Sequence, residues 1–323
     1  MLSKITNKLS GVSVLVTGGS GFIGSHLARR LVKEKAKVTL LIREKTDLKN
    51  IQDIKSKVNL VKGDLTDYLK LVEIVKKVNP QKIFHLAAYI NRSRSLERIE
   101  NCMKINFSGT VNLVRALENV NYDCFINTGT CEEYGNIVAP FKEDQLVNPV
   151  SPYSLSKSAS ILFCDMYHKN TGRPIISIRP FTTYGPAQHS RMLVSQIILS
   201  AIKREDFNMS LGEQYREFNY VSDIVDGFIK ASLCKKAIGE VINLGTGVEY
   251  TVAEVAKKII SLMDNPIKVH LGAIPYRENE IWHLYCDNTK ARKLLKWKPR
   301  VSLEDGLKQT IKWTLENYKD FYK

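Results

Sequence analysis

A glycine-rich turn lies between a strand-like run and a helix-like run near the start of the 323-residue chain. Residues 12–17, VSVLVT, are apolar and mostly β-branched over the length of a buried strand, and residues 22–34 carry apolar side chains at helical spacing. Between them, TGGSGFIG places Gly18, Gly21 and Gly24 three residues apart. Such a turn and the helix N-terminus after it can cradle a pyrophosphate. The pattern in this position predicts a dinucleotide-binding unit.

Strand-like and helix-like runs alternate from this turn as far as Pro180. Apolar runs predict strands over 37–42, 58–62, 82–88, 124–129 and 174–180, and helical periodicity predicts helices over 67–78, 101–119 and 153–170. Strands that alternate with helices in this rhythm form a parallel sheet with helices on both faces. The predicted fold class is therefore α/β, with a Rossmann-type doubly wound parallel sheet.

The rhythm changes after Pro180, where shorter strands are mixed with amphipathic helices. The sequence predicts strands near 208–211, 218–221 and 240–245, and helices over 192–203, 223–233, 251–263 and 302–318, the last with Ser302 as its N-cap. We expect a dinucleotide-binding domain over residues 1–185, with later returns near 219–245. Residues 186–323 would mainly form a smaller, mixed α/β substrate lobe.

Composition and charge exclude several classes of protein. The chain has 44% hydrophobic and 25% charged residues, as a globular protein does, and no apolar run of membrane-spanning length. The net charge of +15 comes mostly from scattered lysines, without the dense basic run that favours nucleic-acid binding. The six cysteines lack C-x-x-C spacing, and the first eleven residues lack the apolar core of a signal peptide. We predict a reduced cytoplasmic protein without metal, membrane partner or nucleic-acid partner.

The end of the second predicted strand bears on the choice of cofactor. An acidic residue there binds the ribose 2′-hydroxyl of NAD, whereas an arginine accommodates the 2′-phosphate of NADP. The sequence LLIREKTD places Arg43 at this position, with Glu44 beside it and Asp47 nearby. Arg43 favours NADP over NAD, although Glu44 or Asp47 could still bind a ribose hydroxyl.

Tyr153 and Lys157 are four residues apart in SPYSLSKSA, which places both on one face of the predicted helix. A cationic lysine near a phenol lowers the pKa of the phenol and makes it a usable acid or base. Thr130 follows the fifth predicted strand at its carboxyl end, where the sites of α/β proteins lie. These three residues are the candidate catalytic group.

Six motifs then follow one another in the order and spacing of the extended short-chain dehydrogenase/reductase family. They are TGGSGFIG, GDLTD, HLAA, TCEEYG, YSLSK and RPFTTYGP. The resemblance covers essentially the whole chain, and it is nearest to the NAD(P)-dependent nucleotide-sugar epimerases and dehydratases.

The resemblance implies a role for each matched position. Tyr153 would be the catalytic acid/base, Lys157 would hold the nicotinamide ribose, and Thr130 would replace the more usual serine. Asn106 would support the site from its helix. The other expected cofactor contacts are Gly18, Gly21, Phe22, Ile23, Gly24, Arg43, Asp64, Leu65, Ala87, Ala88 and Pro180.

The two residues after Thr130 bear on the reaction. In the 4,6-dehydratases of this group, an acid and a glutamate follow the threonine or serine, move the C5 proton and expel the C6 hydroxyl. Here these positions hold Cys131 and Glu132. Glu132 fits the base, whereas the Cys131 thiol departs from the usual aspartate and is a poorer general acid. The two residues could instead only pack and cap the following loop.

Family members bind a nucleoside diphosphate in the smaller lobe. YREFNYVSDIV matches the pattern R-x-F-x-x-V-x-D, which implies Arg216 as a phosphate ligand and Asp223 as a structural anchor. In the later segment PYRENE, Arg277 would take a diphosphate oxygen and Glu280 a ribose hydroxyl. Two guanidinium groups can clamp a diphosphate through charge-assisted hydrogen bonds.

The sequence thus predicts an NAD(P)-dependent enzyme that oxidises a nucleotide-diphosphosugar at C4. Glu132 favours a 4,6-dehydratase, and a 4-epimerase and a 4-ketoreductase are the alternatives. A non-catalytic dinucleotide sensor on the same fold is a more distant one. The family resemblance also implies a homodimer, in which Leu162, Phe163 and Met166 could pair with a second subunit.

Overall fold

The computed structural model describes residues 8–91 and 93–322, so most of the segment in which a signal peptide was sought lies outside the described residues. The strands are β1 (Ser13–Thr17), β2 (Lys37–Ile42), β3 (Asn59–Lys62), β4 (Lys82–His85), β5 (Cys124–Thr128), β6 (Ile175–Pro180), β7 (Thr183–Tyr184), β8 (Phe207–Met209), β9 (Tyr215–Glu217), β10 (Asn219–Tyr220), β11 (Val241–Leu244), β12 (Glu249–Thr251), β13 (Val269–Leu271) and β14 (His283–Leu284). The α-helices are α1 (Phe22–Lys33), α2 (Tyr68–Val78), α3 (Ile99–Cys102), α4 (Gly109–Ala116), α5 (Pro152–Thr171), α6 (Leu193–Lys203), α7 (Val221–Leu233), α8 (Val252–Ser261), α9 (Thr289–Leu295) and α10 (Leu303–Tyr322).

A seven-stranded sheet with the order β3-β2-β1-β4-β5-β6-β11 forms the centre of the dinucleotide-type fold. The strands from β1 to β6 pair in parallel. The order in which strands are added reverses between β1 and β4, because β2 and β3 lie on one side of β1 and the next strands lie on the other. Such a switch point opens a crevice at the carboxyl ends of the strands. The predicted Rossmann-type sheet is confirmed.

The sheet is apolar on both faces because helices cover both, as a doubly wound fold requires. On one face Leu15 of β1 and Phe125 of β5 belong to one buried cluster with Ile74 of α2 and Leu113 of α4. Helix α1 also buries an apolar stripe, which includes Leu27. Burial of this kind stabilises the fold by about 25 cal/mol per Å² of apolar surface.

The predicted helix over 101–119 is interrupted in the structure. Between α3 and α4, Met103–Ser108 forms a π-helical segment that carries Asn106. The Thr110 and Ser160 hydroxyls both donate to the Asn106 carbonyl oxygen, at 2.6 and 2.8 Å. Apolar periodicity cannot reveal such a segment, and π-helical turns are common at functional sites.

Most other predicted elements are found within a residue or two of their expected bounds. The strand predicted over 82–88 ends at His85, which leaves Ala87 and Ala88 in a loop beyond the sheet edge. The predicted Ser302 cap of α10 is present, since its hydroxyl accepts the Asp305 N–H at 3.1 Å. The strands β7, β9, β12, β13 and β14 and helix α9 were not predicted, because each has seven residues or fewer.

The chain divides into two compact units. The first comprises Met1–Glu133, Pro149–Arg179 and Val225–Ile242, and the second comprises Tyr134–Asn148, Pro180–Ile224 and Asn243–Lys323. These units are defined by compactness alone, so the functional division near residue 185 stays a prediction. No helix in the described ranges combines the length and apolar character needed to cross a membrane.

The second unit has its own core. Helices α6, α8 and α10 bury Ile197, Ile259 and Leu307 in one apolar cluster. Asp223 ties a later segment to this unit, because its carboxylate accepts the N–H groups of Arg300 and Val301 at 2.9 and 3.0 Å. The predicted anchoring role of Asp223 therefore has a direct geometric basis.

Candidate active site

The glycine turn after β1 is shaped by close backbone approaches. Gly18 has a φ of +70°, and a Cβ atom there would lie 2.6 Å from the Ala87 backbone nitrogen. A Cβ atom on Gly24 would lie 2.1 Å from the Gly18 carbonyl oxygen. Gly21 is the N-cap of α1 and has no side chain to bond the helix N-terminus. The turn thus presents a bare helix N-terminus, which suits a pyrophosphate.

The residues expected to flank the adenosine lie at the carboxyl ends of β2 and β3. Burial raises the pKa of Asp64, but hydrogen bonds from Thr66 and the charge of Arg43 outweigh it, so the net pKa lies below its ordinary value. Glu44 forms an ion pair with Lys62 at 2.6 Å. Leu65 is buried, and its carbonyl oxygen accepts the Asn112 side-chain amide at 3.0 Å.

The two acidic alternatives to Arg43 already have partners. Asp47 accepts the Lys49 N–H at 2.9 Å at the start of a 3-10 helix, and Glu44 is paired with Lys62. Arg43 itself is exposed directly after β2. Phe22, Ile23, Ala87 and Ala88 are half-buried around the turn.

A buried hydrogen-bond relay leads away from the glycine turn. The His85 ring nitrogens lie 2.7 Å from the Thr17 hydroxyl and 2.9 Å from the Thr110 hydroxyl. Because Thr110 donates to the Asn106 carbonyl oxygen, it accepts from His85 Nε2–H, and His85 Nδ1 accepts from Thr17. Burial, together with the charge of Lys157, lowers the pKa of His85 to about 3, so the ring is neutral.

Asn106 continues this relay to the helix of the candidate acid/base. Its amide nitrogen donates to the Ser156 hydroxyl at 2.9 Å, and that hydroxyl donates to the Tyr153 carbonyl oxygen at 2.7 Å. The same amide also bonds both backbone groups of Tyr89. The side chain expected to support the site therefore joins the loop after β4 to the start of α5.

Thr130, Tyr153 and Lys157 are all buried in the first unit. The Thr130 hydroxyl accepts the Glu132 N–H at 3.3 Å, so its own proton can be donated elsewhere. The 3-10 turn Cys131–Glu133 packs against α5, which carries the other two side chains. Cys131 and Glu132 are only 4% and 8% exposed, within this turn.

Lys157 is completely enclosed, and burial lowers the pKa of its ammonium group to about 8. The negative charge of Glu133 opposes this effect. Glu133 is a residue that sequence reasoning missed, although it stands inside the quoted motif TCEEYG. Its carboxylate accepts the Thr130 N–H at 2.7 Å and the Arg179 Nε–H at 2.9 Å.

The expected nucleotide-binding residues lie in the second unit. The Arg216 guanidinium, on β9, forms an ion pair with Glu280, and both side chains are largely shielded from solvent. Arg277, three residues before Glu280, is exposed. Among the described residues, 8–91 and 93–322, it forms no hydrogen bond or ion pair with Arg216 or Glu280. Pro180 is half-buried at the end of β6.

Comparisons with known proteins identify the family of this chain. A family model described as GDP-mannose 4,6 dehydratase matches residues 15–310. The dTDP-D-glucose 4,6-dehydratase of Bos taurus is 31% identical over 329 residues, which cover 95% of this chain and 90% of the relative.

Two solved structures are also similar. An epimerase from Methanothermobacter thermautotrophicus has a TM-score of 0.90 and 30% identity, over 97% of this chain and 95% of the other. The UDP-glucuronic acid 4-epimerase of Bacillus cereus, solved with UDP-glucuronic acid and NAD, has a TM-score of 0.85 and 28% identity, over 94% and 99%.

These similarities span nearly the whole length of the chain and of each relative. They confirm the predicted family and the prediction that the chain is an enzyme rather than a non-catalytic sensor. The chain belongs to the GDP-mannose 4,6-dehydratase family, within the nucleotide-sugar epimerase and dehydratase group of the extended short-chain dehydrogenases/reductases.

Proposed function

We propose that this enzyme oxidises a nucleotide-diphosphosugar at C4 and then eliminates water across C5 and C6, as a 4,6-dehydratase. The observation that carries the proposal is the 3-10 turn after β5. In this turn the Glu132 backbone N–H donates to the Thr130 hydroxyl, Glu132 is shielded from solvent, and the turn packs against the helix of Tyr153 and Lys157.

Tyr153 is the proposed general base for the sugar C4 hydroxyl. Lys157 lies one turn further along α5, and its ammonium form predominates at neutral pH because its pKa is about 8. A positive charge there favours the phenolate form of a nearby tyrosine. The Thr130 hydroxyl, whose oxygen accepts the Glu132 N–H, can donate its proton to the same sugar oxygen.

We propose that the chain binds NAD(P), and that NADP binds at least as well as NAD. The glycine turn fits the pyrophosphate because only residues without Cβ atoms allow its close backbone contacts. The Bacillus cereus relative holds NAD. When bound, NAD(P) would supply a hydride acceptor for oxidation at C4 and, in a dehydratase, the hydride donor for C6.

Glu132 is the proposed base at C5. Oxidation of C4 to a ketone acidifies the C5 proton, because the new carbonyl stabilises the resulting carbanion. Glu132 takes this proton, and the C6 hydroxyl leaves as water after it gains a proton. Cys131 is the adjacent candidate donor, although a thiol is a weaker acid than the aspartate usual at this position.

The test is the variant Glu132→Gln, with Glu133 left intact. Wild type and variant are incubated with dTDP-glucose, GDP-mannose, UDP-glucose and UDP-glucuronate, and the products are identified by mass. A dehydratase releases a product that has lost one water. The variant should still reduce its bound cofactor with the correct sugar, yet release little dehydrated product.

Exchange of the C5 hydrogen with deuterated solvent gives a second measurement. When the sugar that reduces the cofactor is present, the wild type should replace its C5 hydrogen with deuterium from the solvent. The variant Glu132→Gln should not. Absence of exchange in the wild type would contradict the dehydratase proposal.

A nucleotide-sugar 4-epimerase is the second candidate, favoured by Cys131. A thiol at the position of the usual acid weakens the case for C6 elimination. Some of the similar proteins are epimerases. An epimerase moves no C5 proton, so Glu132→Gln would then remain largely active and the product would keep the mass of the substrate. A 4-ketoreductase would instead add two hydrogens to a 4-keto sugar.

We propose that the nucleoside diphosphate binds at Arg216, Arg277 and Glu280 in the second unit. Arg216 is held by Glu280 in this structure, and a diphosphate would supply it with stronger, doubly charged partners. Glu280 would then be free to accept a ribose hydroxyl.

We also propose a homodimer formed through α5. On this helix Leu162 is 62% exposed and Met166 is 46% exposed, and half-buried Phe163 stacks edge-on against Phe107. A second copy would cover this apolar face. Sedimentation at micromolar concentration should give a dimer, and Leu162→Glu with Met166→Glu should give a monomer.

A further inference from the structure

Glu133 is an enclosed carboxylate that the proposed reaction does not use. Its exposed fraction is zero, and its two oxygens accept N–H groups from different parts of the chain. One oxygen accepts the backbone N–H of Thr130 at 2.7 Å. The other accepts Nε–H of Arg179, on β6, at 2.9 Å. The carboxylate thus links the strand end that carries Thr130 to the next strand of the sheet.

The backbone before Thr130 leaves room for this carboxylate. A Cβ atom on Gly129 would lie 2.4 Å from Glu133 Oε1 and 2.6 Å from the Ile161 side chain. Any other residue at position 129 would therefore displace the carboxylate or α5. The glycine at position 129 thus leaves the space that the Glu133 carboxylate occupies. A buried ion pair is by itself weak evidence for a stabilising role, so this fit points to another role.

The charge of Glu133 acts on Lys157 within a small set of buried charged and titratable groups. Arg179 faces it from β6, and Lys157 faces it from α5. Burial raises the pKa of Glu133, and the Arg179 guanidinium and the Thr130 N–H oppose this rise in part. The geometry favours a carboxylate, because each oxygen accepts an N–H group and one of these donors is a guanidinium. His85 and Cys164 also face Lys157, and their pKa values of about 3 and about 12 keep both uncharged near neutral pH.

We propose that Glu133 is a positioning residue, which fixes the backbone of Thr130 and holds a negative charge that keeps Lys157 in its ammonium form. The proposal rests on the proposed C4 oxidation, in which both Thr130 and Lys157 take part. Glu133 acts only through these two residues and does not touch the sugar.

The test measures Lys157 directly. The variant Glu133→Gln keeps the shape of the side chain and an oxygen for the Thr130 N–H, but it removes the negative charge. The lysine side-chain NMR signal of Lys157, assigned by its loss in Lys157→Met, is titrated in protein stripped of nucleotide. The midpoint should fall by about one pH unit, the effect of a nearby unit charge in a medium of intermediate dielectric constant.

The matched control is Glu132→Gln, which removes the neighbouring carboxyl group and should leave the Lys157 midpoint nearly unchanged. The conservative variant Glu133→Asp keeps the charge, so its Lys157 midpoint should stay close to that of the wild type. With the correct nucleotide sugar, the alkaline limb of the rate of cofactor reduction should move with the midpoint.

Loss of the Glu133 charge breaks the buried ion pair with Arg179, which can prevent folding. The double variant Glu133→Leu with Arg179→Met replaces the pair by apolar side chains of similar size, and it should fold and also lower the Lys157 midpoint. A folded variant of either kind with the wild-type midpoint would overturn the proposal. Failure of every nucleotide sugar to reduce the cofactor would overturn C4 oxidation instead, and would leave the midpoint test intact.

Discussion

The catalytic corner of the first unit (Asn106, Thr130, Glu133, Tyr153 and Lys157) differs in construction from the proposed nucleotide-binding residues of the second unit. All five side chains of the corner are buried. Hydrogen bonds join Asn106 to α5 and Glu133 to the Thr130 backbone, and an ion pair joins Glu133 to β6. Chemistry that depends on charge in a fixed geometry needs such preorganisation.

The nucleotide-binding residues lie on short strands and an irregular segment instead. Arg277 is exposed, and Arg216 is paired with Glu280 rather than locked in a wider network. An arginine of this kind can change partners when a phosphate arrives, since both partners satisfy it through charge-assisted hydrogen bonds. From this difference we expect the first region to control the rate of the reaction and the second to control the affinity for the nucleotide.

Two buried glutamates show the same contrast. Glu133 forms an ion pair with Arg179, whereas Glu217, on β9, accepts hydrogen bonds from the Gly247 N–H at 2.7 Å and the Thr246 hydroxyl at 3.2 Å. Burial raises the pKa of Glu217 to about 7, and these hydrogen bonds oppose the rise only in part. Burial also raises the pKa of Glu133, but its ion pair with Arg179 stabilises the carboxylate form, whereas Glu217 titrates near neutral pH.

The largest expected effect is on the rate, from Tyr153→Phe. Loss of a general acid/base lowers turnover by roughly a hundredfold or more. Cofactor binding should be nearly unchanged, because the substitution removes only one oxygen atom. Turnover with the correct nucleotide sugar and titration with NADP would measure the two quantities. Tyr167→Phe, near the end of the same helix, is the control, and wild-type turnover in Tyr153→Phe would contradict the assignment.

The next effect concerns the stability of the second unit. Below pH 4.5 Glu217 is protonated in both the folded and the unfolded state, so it adds no pH dependence to the free energy of unfolding there. Between pH 4.5 and about 7 the unfolded chain ionises while the folded state stays protonated, so stability falls as the pH rises. The full loss is about 3 kcal/mol in the free energy of unfolding.

Tryptophan fluorescence during urea unfolding measures this loss, because Trp282, Trp297 and Trp313 all lie in the second unit. The variant Glu217→Gln should lack the slope between pH 5 and pH 7.5. Glu278→Gln, which removes an exposed carboxyl group from the same unit, should keep it. A wild type whose stability is flat over this range would show that Glu217 stays ionised when folded.

The sheet and most of its helices could be predicted from sequence because their signal is periodic and local. Apolar runs and the glycine turn placed β1, β2 and α1 within one residue of their bounds. The short strands of the second unit carry two or three residues each, which is too few for a period to appear.

The site was predictable where a motif carries it, and it was missed where only the tertiary structure joins residues. Tyr153 and Lys157 are four residues apart in sequence, so their shared helix face can be derived. Glu133 meets Arg179 across 46 positions, and both look like ordinary charged residues. The tautomer of His85 is set by Thr17 and Thr110, which its sequence neighbours do not reveal.

A smaller effect is expected on nucleotide affinity, from Arg216→Gln. Hydrogen bonds to charged groups are worth about 1.5–3 kcal/mol, so KM for the nucleotide sugar should rise by about tenfold or more. The turnover number should change little, in contrast to Tyr153→Phe. Steady-state kinetics with Arg191→Gln as an exposed control measures the split. A fall in kcat with an unchanged KM would place Arg216 with the catalytic corner instead.

The smallest effect concerns the preference between the two cofactors. Arg43 is exposed after β2, and the ion pair between Glu44 and Lys62 beside it is also exposed. Exposed pairs are worth at most about 1 kcal/mol, so Glu44 can leave Lys62 to bind a ribose hydroxyl. The variant Arg43→Ala should therefore weaken NADP binding by about tenfold and leave NAD binding nearly unchanged, because only NADP carries the 2′-phosphate that a guanidinium recognises.

Titration of nucleotide-free protein with both cofactors measures the ratio of the two affinities, and Lys45→Ala controls for loss of a nearby charge. A strong NAD preference in the wild type would instead assign the choice to Glu44 or Asp47, and Glu44→Gln with Asp47→Asn would then weaken NAD binding.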